Sequence, residues 1–174
     1  MAMLSRAALL EYTSRPMVIA ETRAWRATSA TAAEATVFLS HSHQDTDLVE
    51  ATVRFFASRR VHLYVDWLDP KMPEVTDPNT ALELKKRIRS LRRFVVLVTD
   101  RSSASRWVPW ELGYADGVKR EHDIAVFPVP NATTQPIAEY IGIYSRIEMV
   151  GNNAVVIPPQ RGAPVMLDSW LRAP

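Results

Sequence analysis

Short apolar runs alternate with helix-like stretches along most of this 174-residue chain, and this alternation restricts its fold more than any other feature. Four runs have the length and composition of strands that are covered on both faces. They are Thr36–Ser40, Val61–Val65, Phe94–Val98 and Ile124–Val129. Strands separated by helices predict an α/β fold: a doubly wound parallel sheet of five strands in flavodoxin-like order, with helices on both faces.

Helix signals fill the intervals between these runs. Asp45 is a good N-cap for a first helix, whose apolar stripe begins at Leu48. A second helix is predicted to open at Thr80, because Glu83 three residues later completes a capping-box pattern. The third is predicted from about Trp107 to Arg120, capped by Ser105. The later predictions are a short helix at Gln135–Ile141, a fifth strand at Tyr144–Met149 or Ala154–Ile157, and a closing helix at Val165–Arg172.

The first 35 residues are predicted to be an extension or linker, with one domain over residues 36–174. Ser5–Tyr12 has the pattern of a short helix, and Ala27–Ala35 is a linker rich in threonine and alanine. We expect this extension to be poorly ordered. A packed arm or an oligomer contact is the alternative.

Charge and composition exclude several kinds of partner. The formal net charge is +2 and the basic residues are scattered, so we expect no nucleic-acid partner. No apolar run approaches the roughly 20 residues that cross a bilayer, and no signal-peptide core precedes Glu11, so we expect a cytoplasmic protein without a membrane partner. The absence of cysteine excludes disulfides and thiolate chemistry.

Ligands of open parallel sheets bind beyond the carboxyl ends of the strands, which selects a few loops for the site. The selected segments are Ser40–Asp45, Asp66–Asn79, Thr99–Arg106 and Pro128–Thr134. Within them, His41 and Ser42 are candidates for contacts with a ligand, as are Asp66 and Ser103. Trp67 is predicted either to stack on a ligand or to cover the core. His43 is interpreted as an exposed loop histidine. His62 has no partner at a useful spacing, so no metal site is predicted.

Glu111 is the anomalous residue of the third predicted helix. Helical spacing places it on one face with Trp107, Tyr114, Ala115 and Val118, all of them apolar or aromatic. A carboxylate on such a face is costly to bury without a partner. Its desolvation predicts a raised pKa, suited to acid–base work or to stabilising a cation. The alternative is a structural ion pair with an arginine such as Arg101 or Arg106.

Two motifs resemble those of the Toll/interleukin-1 receptor (TIR) domain family. Val37-Phe-Leu-Ser-His-Ser-His-Gln-Asp45 is similar to the family's first strand and following loop, and Ser105-Arg-Trp-Val-Pro-Trp-Glu-Leu112 to its Ser-x-Trp-x-x-x-Glu-Leu motif. The segment after Val65 occupies the place of the family's BB loop. The resemblance covers residues 36–172 and is weaker after Val129. The chain departs from the family's pattern in two ways. Pro109 lies two residues before the glutamate, and no glycine-rich phosphate loop is present in the sequence.

This resemblance implies a function and a set of roles. In enzymatic TIR domains the matching glutamate cleaves the nicotinamide–ribose bond of NAD+, so Glu111 is implied to be catalytic, with Trp107 stacking beside nicotinamide. NAD+ is implied to be the substrate, with no further cofactor and with a linear or cyclic ADP-ribose product. The implied partners are other copies of the chain, through TIR–TIR contacts, and a separate effector in antiphage defence that responds to the product.

Two other functions remain open at this stage. One is a non-enzymatic TIR adaptor that uses the Asp66–Asn79 loop for assembly. The other is a related N-glycosidase or nucleoside deoxyribosyltransferase, which also places a glutamate beside a ribose.

Overall fold

The computed structural model describes residues 3–15, 36–69, 77–130, 139–159 and 162–173. The predicted linker Ala27–Ala35 lies outside the described residues. So do residues 70–76 of one predicted ligand loop and residues 131–138, which include most of another such loop and the first half of the predicted helix Gln135–Ile141. Seven strands are present in the described part: β1 (Val37–Ser40), β2 (Leu63–Tyr64), β3 (Arg93–Val98), β4 (Ile124–Pro128), β5 (Ser145–Val150), β6 (Asn153–Ile157) and β7 (Val165–Met166).

Helices connect and flank these strands. The α-helices of the described residues are α1 (Arg6–Ser14), α2 (Thr46–Ala57), α3 (Pro78–Ser90), α4 (Asp100–Ala104), α5 (Trp107–Val118) and α6 (Leu167–Arg172). Single 3₁₀ turns occur at Asp66–Leu68, Glu121–Asp123 and Glu139–Ile143. None of the described helices combines the length and apolar character that a membrane crossing requires.

The strands form one sheet in the order β2-β1-β3-β4-β5-β6-β7. The first five are parallel and follow the 2-1-3-4-5 order of flavodoxin-like folds, which confirms the predicted topology. The predicted number of five strands was wrong, because β6 and β7 add two antiparallel strands at one edge. Both alternatives offered for the fifth strand are strands. A two-residue turn joins them, with Gly151 at φ +58°.

The sheet is covered on both faces, as the unbroken apolar runs predict. Side chains of β1, β3 and β4 that point to one face pack with α1, α2 and α6, and Phe55, Phe56 and Phe127 lie among them. Side chains on the other face pack with α3 and α5, around Phe38 and Phe94.

Helix α1 shows that the expectation of a poorly ordered extension was wrong for this segment. Leu9 is fully buried in the core beside α2, and the Tyr12 ring meets the edge of Phe55 at 5.2 Å. The Arg54 guanidinium donates to the Thr13 carbonyl at 3.0 Å. The Leu9 side chain and the Thr13 carbonyl at the end of this short helix both find partners on α2, so the packed arm is the correct alternative.

The start of α3 also differs from the prediction. Asp77 is the N-cap and accepts from the Thr80 backbone amide at 2.9 Å, while the Thr80 hydroxyl accepts from the Asp77 amide at 3.1 Å. This reciprocal pair begins the helix at Pro78, a residue well suited to a first turn. Glu83 instead forms an ion pair with Lys86.

Candidate functional site

The carboxyl ends of β1, β2 and β3 meet at one edge of the sheet. β1 lies between the other two in parallel register, with Phe38 beside Tyr64 and Ser40 beside Val96. The residues that follow these strands therefore converge, and α5 packs across β1 and β3 at the same place.

Glu111 lies on the buried face of α5, with only 4% of its surface exposed. Its Oε2 accepts a hydrogen bond from the Ser40 hydroxyl at 2.6 Å. Burial raises the pKa of Glu111 well above its usual range; the charge of Asp66 raises it further, and the Ser40 hydroxyl opposes the change. Burial thus favours the neutral form of this carboxyl group more than solvent does, and a nearby cation favours its ionisation.

The structure contradicts the alternative in which Glu111 is held by an arginine. Within the described residues no ion pair reaches Glu111, and Arg101 lies 3.7 Å from Asp45 instead. The predicted helix face needs correction too, because Val108 and Leu112 are buried beside Glu111 while Val118 is 39% exposed. The predicted cap at Ser105 was one residue too early, because Arg106 is the N-cap of α5 and makes no side-chain cap bond. The Ser105 hydroxyl nevertheless accepts from the amides of Trp107 and Val108, and Pro109 lies in the first turn.

His41, His43 and Asp66 form a second group of functional side chains at this edge. The His43 Nε2 atom donates to Asp66 Oδ2 at 3.1 Å, and His41 Nε2 lies 3.5 Å from Asp66 Oδ1. The Trp67 ring meets both imidazoles edge to face, at 4.4 Å from His41 and 5.6 Å from His43. These four side chains connect the loop after β1 to the turn after β2.

Burial and charge act differently on the members of this group. Burial lowers the pKa of His41, and the charge of Asp66 opposes this change. The hydrogen bond to Asp66 raises the pKa of His43, which is far more exposed. Burial raises the pKa of Asp66, but the hydrogen bond from His43 and the two nearby histidines lower it by more, so this pKa lies below its usual range.

Asp45 and Thr99 connect the loop after β1 to the segment after β3. Asp45 stands at the N-cap position of α2 but makes no side-chain cap bond. Its buried Oδ2 accepts from the Thr99 hydroxyl at 2.5 Å, and burial raises its pKa. Asp45 therefore fixes the spacing of two site loops rather than the end of a helix.

The other predicted site residues fall into two sets. Ser42 is buried next to His41, and its hydroxyl accepts from the Gln44 amide at 3.3 Å. Ser103 is exposed on α4, where Ser102 is the buried serine that caps with Thr99. The Trp107 ring contacts Trp110 at 5.4 Å. Neither Ser103 nor Trp107 has a hydrogen bond, ion pair or ring contact with Glu111, His41 or Asp66.

Sequence reasoning missed two participants. Ser40 opened one of the selected segments but was not a candidate site residue, although the parallel register of β1 and β3 brings its hydroxyl to the helix that follows β3. His43 is exposed as predicted, yet it binds Asp66. The sequence feature that could have identified them is their position just at or after the end of β1. This position indicates contacts only when the order of the strands is known.

A cavity of about 380 Å³ lies at the opposite end of the sheet. It is lined by residues near the starts of β4 and β5, such as His122 and Ser145, and by Pro158 and Trp170. No buried carboxylate with a raised pKa is among its lining residues, so the carboxyl end of the sheet is the better candidate for chemistry.

A family model described as TIR domain matches residues 37–152. This match covers β1 to β5 and every residue of the candidate site, and it spans more than half of the chain. It agrees with the resemblance that the sequence motifs carry.

Two relatives have names that describe an activity. A protein of Bacillus cereus (strain MSX-D12) named "Probable 3' cyclic ADP-D-ribose synthase ThsB'" is 31% identical over 113 residues, 62% of this chain and 58% of that protein. A Cytobacillus dafuensis protein named "Putative cyclic ADP-D-ribose synthase TIR2" is 34% identical over 82 residues, 45% of this chain and 22% of that protein. The matched region spans less than two thirds of either relative.

Proposed function

The chain belongs to the TIR domain family, and from this premise we propose that it cleaves the nicotinamide–ribose bond of NAD+, with Glu111 as the catalytic carboxylate. The observation that carries the proposal is a buried carboxyl group at the carboxyl ends of parallel strands, oriented by the Ser40 hydroxyl. The names of both relatives describe the synthesis of cyclic ADP-ribose, a molecule formed from NAD+ by loss of nicotinamide.

The proposed reaction begins with a substrate that carries its own positive charge. When the bond between ribose C1′ and the nicotinamide nitrogen breaks, its electron pair leaves with nicotinamide, which becomes neutral. The ribose is left as an oxocarbenium-like cation. The Glu111 carboxylate stabilises this cation, as carboxylates do in glycoside cleavage.

The raised pKa of Glu111 fits this role. Burial disfavours the charged form of this carboxyl group before substrate binds. A cationic nicotinamide riboside beside it favours ionisation, so the negative charge forms where positive charge must be stabilised. The interaction is strong because little water reaches the buried oxygen atoms.

The nucleophile that follows determines the product. A nucleophilic atom in the adenosine half of the same molecule can attack C1′ and close a ring, which gives a cyclic ADP-ribose; an attacking hydroxyl oxygen loses its proton in this step. Water can attack instead and give linear ADP-ribose plus a proton. The names of the relatives favour the cyclic product, and exclusion of water from the site is the physical condition for it.

The neighbouring residues are assigned supporting roles in the proposal. Ser40 positions the carboxylate, and His41, Ser42 and Asp66 bind the ribose or phosphate groups from the loops after β1 and β2. Trp67 stacks on a base, and Ser103 and Trp107 bind the nicotinamide half of the substrate from the segment after β3. NAD+ is the substrate of this reaction rather than a bound cofactor.

Assembly and signalling complete the proposal. The chain associates with copies of itself through TIR–TIR contacts, and its product acts on a separate effector in antiphage defence. Activity is therefore expected to rise more steeply than protein concentration.

Product identification tests this function. Concentrated protein is incubated with NAD+ and, separately, with deoxynucleosides, and the products are identified by chromatography and mass. Nicotinamide together with cyclic or linear ADP-ribose supports the proposal. Transfer or release of a base from deoxynucleosides, with NAD+ untouched, would instead show a nucleoside-processing enzyme, and no reaction with either substrate at high concentration would favour an adaptor.

A further inference from the structure

We propose that His41, His43 and Asp66 form a binding site for a divalent transition-metal ion, with zinc as the ion that fits best. One donor atom from each side chain lies within 4.8 Å of the other two. The proposal gives His41 and Asp66, which are also assigned to substrate binding above, a second role, and it can be tested separately because metal binding is measured without substrate.

The donor separations match the dimensions of a zinc site. Zinc bonds to imidazole nitrogen and carboxylate oxygen are about 2.0–2.2 Å long, which puts neighbouring ligands of a tetrahedral ion roughly 3.3 Å apart. His43 Nε2 lies 3.1 Å from one oxygen of Asp66, and His41 Nε2 lies 3.5 Å from the other. All three donors lie within 4.8 Å of one another, so binding of one ion requires the side chains to close towards it.

Two buried atoms of the group have no hydrogen bond in the described part of the chain. They are Nε2 of His41 and Oδ1 of Asp66, and they face each other. His41 is 4% exposed, so water does not readily satisfy its ring nitrogen. A buried polar atom without a partner is costly, and an ion between the two groups would satisfy both of them.

The surroundings of His41 prepare it as a ligand. Its Nδ1 atom lies 3.1 Å from the Leu39 carbonyl oxygen, which can only accept, so Nδ1 carries the proton. The lone pair is then on Nε2, the atom that faces Asp66. A backbone carbonyl in this position is the usual outer-shell support of a metal-binding histidine.

The nature of the donors selects the ion. Two imidazoles and one carboxylate suit zinc and similar transition metals, whereas calcium and magnesium prefer sites made only of oxygen. Trp67 holds the two rings from the side. The His43 side chain is 61% exposed, which gives the ion access from solvent and leaves a fourth position for water.

Calorimetric titration with zinc chloride tests the site on the untagged full chain. We expect one zinc ion to bind per chain. His43→Ala should weaken binding at least about tenfold, since even the loss of an outer-shell partner costs that much. Because the His43 side chain is mostly exposed, this variant should keep its fold, which circular dichroism checks.

His122→Ala is the matched control. The His122 side chain is also exposed, at 62%, and also lies near an aspartate, with its Nε2 atom 3.7 Å from Asp123. It should bind zinc as the wild type does, whereas Asp66→Asn should bind as weakly as His43→Ala. The chain has no cysteine and only four histidines, so few other zinc ligands compete. Absence of zinc binding to the wild type, or equal binding by His43→Ala and wild type, would overturn the proposal.

Discussion

The Ser40 hydroxyl orients the Glu111 carboxylate and stabilises its charged form. Ser40→Ala is expected to slow NAD+ cleavage about tenfold, in line with the loss of one bond to a charged group. The rate should also begin to rise only at a higher pH than in the wild type, because the pKa of Glu111 increases when this donor is lost. A pH–rate profile of the variant measures both effects.

The control for this substitution is Ser145→Ala. Ser145 is likewise a buried serine, but it is the first residue of β5 and lies at the opposite end of the sheet. It should leave the pH–rate profile in place. A profile that does not move in Ser40→Ala either would show that Ser40 has no influence on the reacting carboxylate.

Glu111 is also expected to lower the free energy of unfolding at neutral pH. In the folded state burial and the charge of Asp66 raise its pKa, with Ser40 opposing, whereas in the unfolded chain the value is about 4.5. Between these two values the folded state retains a proton that the unfolded chain releases, so the free energy of unfolding falls as pH rises. Glu111→Gln should therefore be more stable than the wild type at neutral pH.

Chemical denaturation at several pH values measures this difference. The gap between the two proteins should shrink as pH falls and should vanish below about pH 4.5. A gap that is independent of pH would mean that the Glu111 pKa is not raised.

Single residues could be predicted from the sequence when they break a local pattern. A carboxylate on an apolar helix face identifies Glu111 without knowledge of the fold. Ser40 breaks no pattern, because a serine at the end of a strand is common, and only the register of β1 against β3 shows its partner. The same holds for His43 and Asp66, which are 23 residues apart in the chain.

At the level of elements, α1 contributes to the core although it precedes the TIR-matched region. Leu9→Ala is expected to lower the free energy of unfolding by about 2–5 kcal/mol, because it leaves a cavity between α1 and α2. Leu82→Ala on α3 is the matched control, since Leu82 is 55% exposed. Denaturation curves of both variants test the prediction, and equal stability of the two would show that α1 is not packed.

Elements with one dominant signal were predicted well. The four apolar runs became β1 to β4, with shifts of one or two residues at their ends. The α3 start was misplaced because two overlapping capping patterns occur, and the Asp77–Pro78 pair determines the start. No local signal indicates whether α1 packs, since that depends on a surface formed by α2.

At the scale of the whole molecule, Arg93 joins distant parts of the fold. It is buried at the start of β3, where it forms an ion pair with Asp123. It also donates to the carbonyls of Trp170 and Ala173 at 3.1 and 2.8 Å, at the end of α6. Arg93→Leu leaves Asp123 and two carbonyls without this partner, and should cost about 3 kcal/mol of stability.

Arg92→Leu is the control for this prediction. Arg92 is the exposed neighbour in the chain, and its replacement should change the free energy of unfolding by less than about 0.5 kcal/mol. Thermal and denaturant unfolding of the two variants compare them directly. If both lose the same stability, the contacts of Arg93 do not anchor the end of the chain.

The strand order was predictable because alternation of strands and helices leaves few ways to wind a parallel sheet. The antiparallel edge was not: β6 was offered only as an alternative to β5, and β7 is too short to give a strand signal. The strand order also predicts which end of the sheet carries the site, and for this reason Glu111, His41 and Asp66 were expected near one another. Ser103 and Trp107 were expected there too, but they make no direct contact with these three residues.

The most direct measurement is the rate of nicotinamide release from NAD+ by wild type, Glu111→Gln and Glu148→Gln at the same high protein concentration. Glu148 is a second buried glutamate, bound to Arg146 on β5 and away from the site, so it controls for the loss of a buried carboxylate. We expect release by the wild type and by Glu148→Gln, and at least about 100-fold slower release by Glu111→Gln. Equal release by all three proteins would contradict a catalytic role for Glu111.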